Sequence, residues 1–337
     1  MMINASLDMI NHAIGYRKNL SADPSTNVYR IFNGYTEGLP DLILEIYGTS
    51  LLIFDHGKNS TLDSEFFEEV RKLCWQSFPF LTSVFLKRRN GESEKDKKGN
   101  LLFGKEIVQF VIENGVKYAV HFQTNQDSSF YTDTRNLRIW LKNNSSDKTV
   151  VNTFAYTGSL GVAALAGGAS KVIQTDITPR FLDLARLSGQ LNGIPSKRHA
   201  FIEGDFYRVV SRLKTGKALY DTVIIDPPFF SSTEAGTVDL STDSSRLINK
   251  VRPIVKHEGK IILVNNSLFL KGATFYEQVE SLCQNEYVSI KEIIPVPQDV
   301  MGYPETIKSV LPIDPSPFNH STKMIILDIK RKDQRTV

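Results

Sequence analysis

The sequence predicts an α/β protein in which a mostly parallel sheet follows a smaller α+β domain. From about residue 147 onward, apolar strands alternate with helical stretches, the pattern of a βαβ array and a parallel sheet. Before about residue 122, short alternating runs indicate antiparallel strands that one helix interrupts. We therefore expect a first domain over residues 1–122 and a second over residues 123–337.

The composition is that of an ordinary globular protein, with 337 residues, 41% hydrophobic and 23% charged. A net charge of +3 permits a polyanionic partner without arguing for one. Cys74 and Cys283 lie outside any C-x-x-C pair, and the histidines lack metal-ligand spacing, so no metal is expected. Because no apolar stretch suits a signal peptide or a membrane helix, we expect a soluble cytoplasmic protein with no membrane partner.

The first domain is expected to hold six strands and one helix. The strand candidates are "NVYRIF", "LILEIYG", "LLIFDHG", "SVFLKRR", "IVQFVIENG" and "VKYAVHF", and the helix is "LDSEFFEEVRKLCWQSF", whose apolar residues recur at three-to-four spacing. The charged loop "KRRNGESEKDKKGN" contains Asn-Gly and predicts a hairpin tip. Its cations Lys87, Arg88 and Arg89 are candidates for phosphate contact; the alternative is a solvated tip of mixed charge.

The second domain begins with a helix over residues 133–146 and then the strand and turn "VVNTFAYTGSLGVAALAGG". Gly158 and Gly161 in this turn allow close backbone approach of a ligand at a helix N-terminus. The spacing is not G-x-G-x-x-G, which argues against a dinucleotide pyrophosphate. Glycines used only for packing would give the same pattern.

Acidic residues end the next two strands. Asp176 follows the second strand, 18 positions after Gly158, where a ribose diol is held in such sheets. Asp205 follows the third strand, where it could accept from an adenine amine while Phe206 packs on the ring. Each acid could instead cap the following helix. Together the three strand ends predict an adenosine site without a pyrophosphate cradle, which suggests S-adenosyl-L-methionine.

The fourth strand ends in "VIIDPPFFSS". Asp226 is followed by Pro227 and Pro228, which fix the backbone and remove two N–H donors, so that carbonyl acceptors can point outward. Phe229 offers a stacking face for a base removed from its stack. A tight turn whose phenylalanines fill the core is the alternative. Beside an adenosine site, the arrangement favours a pocket for a flat nitrogenous ring.

Several segments resemble the bacterial 23S rRNA large-subunit methyltransferases of the cytosine-C5 and guanine-N7 type. They are "NTFAYTGSLGVAALAGGASKVIQTDIT", "ARLSGQLNG", "IIDPPFFSS", "SSFYTDTRNLR" and "YRIFNGYTEGLPDLILEIYG". The resemblance implies a class I methyltransferase, a Rossmann-like fold with a mostly parallel seven-stranded sheet, and RNA, in particular rRNA, as substrate. It implies cofactor contacts at Phe130, Asp133, Arg135, Ala155, Tyr156, Thr157, Gly158, Asp176, Ile177, Asp205, Phe206 and Asp226.

This sequence departs from the family pattern in three places. Arg30 lies too close to the N-terminus to leave room for a PUA domain, so we expect the first domain to contact RNA instead. Asp127 and Ser129 replace a lysine and a glycine of the family. After strand five, where the cytosine-C5 enzymes need a nucleophilic cysteine, the chain has Asn265, Asn266 and Ser267. The guanine-N7 members also carry two asparagines there.

The expected activity is therefore cysteine-independent methylation of an RNA base, with guanine N7 favoured. N7 has a lone pair and no proton to remove, so positioning would supply most of the catalysis. Asp226, Pro227, Pro228, Phe229, Asn265 and Asn266 are the catalytic candidates. Methylation of an exocyclic amine, a small-molecule substrate and a non-catalytic RNA-binding factor are the alternatives. The sequence is compatible with a homodimer.

Overall fold

The computed structural model describes residues 2–58, 62–234 and 236–334. The chain forms two compact units, which we call the first and the second unit. The first consists of Met1–Asp133 and Pro297–Leu311, and the second of Thr134–Val296 and Pro312–Val337. The sequence predicts a domain boundary after residue 122, whereas the first unit extends to Asp133. The later segment Pro297–Leu311 also belongs to the first unit.

The first unit is built from short helices and seven strands within its described residues. They are α1 (Met2–Arg17), β1 (Val28–Asn33), α2 (Gly34–Glu37), β2 (Leu42–Tyr47), β3 (Ser50–Asp55), α3 (Ser64–Ser77), β4 (Ser83–Arg88), α4 (Glu94–Lys98), β5 (Asn100–Phe103), β6 (Phe110–Glu113) and β7 (Val116–Ala119). Helix α1 is not anticipated in the sequence analysis, because its buried apolar residues Ile10, Ala13 and Ile14 cover a single turn between polar neighbours.

Strands β1 to β5 form one sheet in chain order, and β6 pairs with β7 in a separate hairpin. The expectation of purely antiparallel strands is wrong at one place, since β3 and β4 are parallel and α3 connects them. Residues alternate between the two sheet faces. Leu44, Ile46, Ile53 and Leu86 belong to the apolar core with α1 and α3, whereas the intervening positions leave Arg30 and Lys87 outside that core.

The second unit contains the alternating array. Its elements are α5 (Arg135–Asn144), β8 (Thr149–Thr153), α6 (Ser159–Ala166), β9 (Lys171–Asp176), α7 (Pro179–Leu191), β10 (His199–Glu203), α8 (Phe206–Thr215), β11 (Tyr220–Ile225), β12 (Phe230–Thr233), β13 (Gly236–Asp239), α9 (Ser244–Val251), β14 (Val255–Asn265), α10 (Gly272–Glu280), β15 (Val288–Ile294) and β16 (Lys323–Ile329). In the first unit, α11 (Gln298–Met301) lies in the returning segment.

The expected mostly parallel seven-stranded sheet is confirmed. Its order is β10-β9-β8-β11-β14-β16-β15. The first five of these strands are parallel, and β16 is antiparallel to both of its neighbours. Parallel strands buried on both faces read as continuous apolar runs, which explains why β11 and β14 were recognisable in the sequence. Among the described residues, no helix is long and apolar enough to cross a membrane.

Candidate active site

The carboxyl ends of five parallel strands meet at one edge of the second unit's sheet. Residues that end adjacent strands lie in register, for example Asp176 beside Glu203 and Thr153 beside Ile225. Asp176 and Asn265 end two of these strands, and Gly158, Asp205 and Asp226 lie in the segments that follow the other three. Because open α/β sheets bind ligands outside the carboxyl ends of their strands, this edge is the candidate active site.

The turn between β8 and α6 has an unusual backbone. Phe154, Tyr156 and Gly158 adopt φ values of 54°, 50° and 77°, all in the left-handed region. Two of these residues are aromatic, and such positions cost on the order of 1–3 kcal/mol each when the residue is not glycine. The surrounding structure holds the turn, since the Ala155 N–H donates to Thr175 O and the Gly158 N–H to Ala155 O, each at 2.8 Å.

Gln174 supports this turn from within strand β9. Its side-chain nitrogen donates to the carbonyl oxygen of Gly158 at 3.0 Å and lies 3.2 Å from His199 Nε2. Its side-chain oxygen accepts from Asn152 Nδ2 at 2.8 Å. A side chain at Gly158 would place its Cβ 2.4 Å from the Cβ of Ala185 and 2.7 Å from Gln174 Nε2. The turn therefore requires glycine for packing as well as for its φ angle.

Asp176, at the end of β9, faces the same turn. One carboxylate oxygen accepts from the Tyr156 N–H at 2.8 Å and the other from the Thr178 N–H at 2.9 Å. Burial raises the pKa of this carboxyl above its ordinary value, against the effect of these backbone hydrogen bonds. A carboxylate oxygen can accept more than one hydrogen bond, so both oxygens retain capacity for ligand hydroxyls. Ile177 follows with 58% of its surface exposed, which provides an apolar face next to the carboxylate.

Asp205 serves as the N-cap of α8. One oxygen accepts from the N–H groups of Tyr207 and Arg208, and the other accepts from the Thr233 hydroxyl at 2.5 Å. The helix-cap alternative of the sequence analysis is thus present in the structure. Phe206 is 5% exposed and stacks on Phe154 with ring centroids 4.7 Å apart. Its ring therefore lies in the core, so its contact with an adenine remains a prediction.

The corner after β11 presents the base-binding candidates. Pro227 is buried, Pro228 is exposed, and Asp226 is partly buried. Phe229 is 43% exposed, and its carbonyl oxygen accepts from the Leu240 N–H, which joins the corner to the end of the β12–β13 hairpin. Phe229 is therefore not the core-filling phenylalanine of the alternative interpretation.

The two asparagines after β14 lie in different environments. Asn265 is fully buried, donates from its side-chain nitrogen to Leu240 O at 2.8 Å and accepts from the Ser267 N–H at 3.0 Å. Asn266 is exposed. Asn265 thus supports the segment that also holds Phe229, whereas Asn266 can contact a ligand directly.

The segment after Asn266 adds residues that the sequence analysis does not single out. Leu268 and Phe269 are 60% and 77% exposed. The ring of Phe269 stands edge to face with that of Phe229, with centroids 6.3 Å apart and an interplanar angle of 68°. The available signal was a run of three consecutive apolar residues, Leu268 to Leu270, in a predicted loop, where a folded protein has little reason to place them.

The residues of the "SSFYTDTR" segment belong to both units. Phe130 is buried in the first unit, where its ring contacts Tyr47 and Tyr118, and Asp133 ends that part of the unit. Arg135 begins α5 in the second unit and is 9% exposed. In the same helix, buried Arg138 donates to the hydroxyl oxygens of Thr134 and Ser159, which connects α5 to the first residue of α6.

Of the three cations expected to contact RNA, only Arg89 is exposed. The expectation for Lys87 is wrong: its ammonium is buried and donates to the carbonyl oxygens of Phe122, Asn125 and Asp127. Arg88 packs over the Phe67 ring at 5.5 Å and donates to Leu62 O. The loop itself forms the expected hairpin, with α4 at its tip and β5 antiparallel to β4.

Neither cysteine lies at the sheet edge that carries the candidate site. Cys74 is buried in the core of the first unit, and burial raises the pKa of its thiol to about 12. Cys283 packs against the core of the second unit, and burial raises its pKa as well. No cluster of candidate metal ligands occurs in the described part of the chain.

Comparison with known proteins identifies the class. The family model for S-adenosylmethionine-dependent methyltransferases matches residues 86–285. The chain therefore belongs to the S-adenosylmethionine-dependent methyltransferase family, and S-adenosylmethionine is its cofactor.

Two similar curated proteins are ribosomal RNA large subunit methyltransferases. Methyltransferase K/L of Alteromonas mediterranea is 31% identical over 281 residues, which cover 78% of this chain and 39% of that protein. Methyltransferase I of Photobacterium profundum is 28% identical over 264 residues, which cover 76% of this chain and 66% of that protein. The chain thus matches about two fifths of the length of the first relative and just under two thirds of the length of the second.

A solved structure, described as a methyltransferase in complex with SAH, shares the fold. It has a TM-score of 0.83 and 23% identity, and the alignment covers 97% of this chain and 82% of that one. The class I methyltransferase fold implied by the sequence resemblance is confirmed.

The residues at the edge fit this cofactor. Gly158 presents no side chain, so its backbone can approach a ligand closely, and the Asp176 carboxylate can accept from a ribose diol. Ile177 offers an apolar contact for the adenine ring. Both carboxylate oxygens of Asp205 already accept hydrogen bonds, one from Thr233 and the other from the first N–H groups of α8. An adenine amine would therefore have to share one of these oxygens.

Proposed function

We propose that this methyltransferase modifies a base of RNA, specifically of cytoplasmic ribosomal RNA, and that the favoured target atom is guanine N7. The similar ribosomal RNA methyltransferases support the substrate class. The exposed aromatic corner at the cofactor edge supports a flat ring as the group that is methylated.

The pair of exposed rings, Phe229 and Phe269, is the observation that carries this proposal. Two large aromatic side chains exposed on adjacent loops cost solvation free energy in the isolated protein unless a ligand covers them. Stacking on aromatic side chains is how proteins hold unpaired bases, and each stack contributes about 1–3 kcal/mol. A base that has left its helix would enter this corner beside the cofactor.

Guanine N7 is favoured because the site has no usable thiolate. Carbon-5 of cytosine requires a covalent adduct with a nucleophile, and both thiols of this chain have raised pKa values and lie away from the edge. When bound, S-adenosylmethionine supplies an electrophilic methyl group on a sulfonium. The N7 lone pair can accept that methyl group without loss of a proton, so no general base is needed.

The protein's contribution is then orientation and charge stabilisation. A purine methylated at N7 is cationic, and the Asp226 carboxylate stands at the base-binding corner. A preorganised charge in a sheltered site stabilises a developing opposite charge more strongly than water does. Asn265 holds the corner in place through Leu240, so we assign it a positioning role, and we assign Asn266 to the edge of the base.

Methylation of an exocyclic amine is the second candidate. The same corner favours it, because Asp226 and the carbonyl groups before Pro227 and Pro228 are acceptors that an amino group could donate to. In that reaction the amine nitrogen takes the methyl group and releases one N–H proton to solvent, and the carboxylate would orient the N–H group.

Nucleoside mass spectrometry tests the proposal. Ribosomal RNA from cells with and without this protein is digested and compared, and purified protein is incubated with unmodified rRNA and labelled cofactor. A new N7-methylguanosine peak that depends on the protein supports the proposal. An N2-, N4- or N6-methylated nucleoside would favour the second candidate, and no methylation of any RNA would contradict both.

A further inference from the structure

A polar pocket of about 370 Å³ lies within the first unit, and two of its lining residues, Phe130 and Asp133, are also cofactor candidates of the sequence analysis. Its walls come from the sheet face opposite α1 and α3 and from the segment at residues 125–133. Lys87 holds this segment over the sheet, since its buried ammonium donates to three carbonyl oxygens at residues 122–127. The volume is at the small end of the range of about 300–1,000 Å³ for ligand pockets, which suits one small group.

The strand register explains why cations point into this pocket. Arg30 on β1 lies opposite Glu45 on β2, and Phe54 on β3 lies opposite Lys87 on β4. Side chains two positions further along a strand share the same face. His56 follows Phe54 and Arg89 follows Lys87 in this way, and all of these side chains line the pocket.

Three of these groups have unused hydrogen-bonding capacity. In the described part of the chain, the Arg89 guanidinium and the His56 imidazole form no hydrogen bond or ion pair. Arg30 uses only Nε and Nη2, both on Glu45 at 2.9–3.0 Å, which leaves Nη1 for a ligand. Burial, together with the charges of Arg89 and Arg30, lowers the pKa of His56 to about 4. The two guanidinium groups therefore create a positive potential at a neutral imidazole.

Four carboxylates also line the pocket, those of Glu45, Asp55, Asp127 and Asp133, but Arg89 and Arg30 are the charged groups that shift the pKa of the imidazole. Glu45 already accepts from Arg30 and from the Thr132 hydroxyl at 2.7 Å. Asp127 accepts from the Tyr131 hydroxyl and the Ser129 N–H, each at 2.7 Å. Asp55 is 1% exposed and lies 3.5 Å from Arg88.

Aromatic rings surround the neutral His56 imidazole. Phe54 stacks on His56 with centroids 6.4 Å apart, and Tyr35 lies 5.7 Å from the same imidazole. Tyr35 and Tyr131 are 45% and 49% exposed. Two guanidinium groups and the exposed Tyr131 ring line the same pocket. They match the two parts of a nucleotide, because a phosphate pairs with guanidinium groups and a base stacks on aromatic rings.

We infer that this pocket binds one nucleotide of the RNA strand, with its phosphate on Arg89 and Arg30 and its base against the aromatic rings beside His56. The inference rests on the proposed function, since it assigns a second contact to the same RNA. It replaces the phosphate-binding hairpin of the sequence analysis with a defined pocket. Lys87 and Arg89 belong to both, and Arg89 is the one of the two that is assigned to the phosphate.

The experiment measures binding of a short unstructured RNA to the full-length protein by fluorescence anisotropy at several salt concentrations. Arg89→Gln is the test variant, and Lys95→Gln, which removes an exposed charge from α4 in the same unit, is the control. We expect Arg89→Gln to weaken RNA binding roughly tenfold and to reduce the salt slope by about one, while S-adenosylmethionine affinity stays unchanged. Lys95→Gln should behave as wild type.

A second measurement follows His56 directly. Its imidazole signals are recorded by NMR during a pH titration, and a bound phosphate should raise the pKa of this group. Wild-type RNA affinity and salt slope in Arg89→Gln, with methylation of RNA intact, would overturn the inference and leave the proposed function standing.

Mononucleotides distinguish a free nucleotide from a strand. If AMP, GMP, CMP or UMP binds in an Arg89-dependent way while RNA does not bind the wild-type protein, the pocket serves a free nucleotide, and the strand inference is overturned together with the proposed function. Inorganic phosphate that competes with RNA in wild type, and not in Arg89→Gln, supports the assignment of the phosphate to this residue.

Discussion

Asn265 donates from its buried side-chain amide to the carbonyl oxygen of Leu240 at 2.8 Å. The N–H of the same Leu240 donates to the carbonyl oxygen of Phe229. Leu240 therefore connects the end of strand β14 to the corner that follows β11 through two hydrogen bonds. The two loops at the candidate base-binding site are held together by hydrogen bonds to a single backbone unit.

This link predicts that Asn265→Ala lowers both stability and turnover. It leaves two buried backbone groups without a partner, the Leu240 carbonyl and the Ser267 N–H, and each such loss costs about 1–3 kcal/mol. Urea unfolding measures stability, and steady-state kinetics should show a lower kcat with unchanged cofactor affinity. The control is Asn266→Ala at the neighbouring exposed position, which should unfold as wild type. Equal stability of the two variants would contradict the positioning role.

The strands, the parallel sheet and the residues at the strand ends could be predicted because their signals are local. The apolar runs that lead to Asp176 and Asp226 predict strands, and the structure has strands there that end at or next to these residues. The chain topology then brings these ends to one edge, since parallel neighbours have their carboxyl ends together.

Three features could not be predicted, because they depend on residues distant in sequence. Lys87 resembles a surface cation until the carbonyl groups of residues 122–127 enclose it. Gln174 is one polar residue in an apolar strand, and its role depends on a hydrogen bond to the carbonyl oxygen of Gly158, which is distant in sequence. An apolar loop residue such as Phe269 looks the same in sequence whether it is buried or 77% exposed.

Phe269 provides a test of base stacking that leaves the fold intact. Because the side chain is 77% exposed, Phe269→Ala should change the free energy of unfolding by less than about 0.5 kcal/mol. Loss of one stack should raise KM for RNA by roughly 5- to 160-fold, in line with about 1–3 kcal/mol per base. Leu268→Ala is the matched control, since it removes an equally accessible apolar side chain without a ring face. Equal KM values for the two variants would exclude stacking on Phe269.

Asp176 should control cofactor affinity. Asp176→Ala removes the acceptors expected for the ribose diol and should weaken S-adenosylmethionine binding by about 1.5–3 kcal/mol in calorimetry. Because burial raises its pKa, the carboxylate accepts a proton at higher pH than an ordinary aspartate, so affinity should fall as the pH drops through that raised pKa. Asp183→Ala, an exposed position on α7, is the control. Unchanged affinity in Asp176→Ala would remove this residue from the site.

His199 should make stability depend on pH. Burial lowers its pKa to about 4, and its neutral Nε2 can accept from Gln174, the residue that supports Gly158. The unfolded chain takes up a proton near pH 6.5 and the folded protein only near 4, so stability is lost as the pH falls between these values. The loss attributable to His199 between pH 7 and 5 should be about 1–2 kcal/mol. Urea unfolding of His199→Gln should lack this part of the pH dependence, and a slope equal to wild type would contradict it.

Asp226 distinguishes the two candidate chemistries. Asp226→Asn keeps an acceptor and loses the negative charge, so it should lower kcat for N7 methylation by roughly 10²–10³-fold if the carboxylate stabilises the cationic purine. Cofactor affinity should be retained, and Glu234→Gln, an exposed charge on the β12–β13 hairpin, should have wild-type kcat. If the carboxylate only orients an exocyclic amine, the asparagine oxygen still accepts and the fall in kcat should be small.

The double variant Cys74→Ser, Cys283→Ser completes the test, because a thiolate mechanism loses its nucleophile whereas direct attack by N7 does not. Normal cofactor binding without methylation in that variant would require a cysteine adduct and would exclude the cysteine-independent reaction.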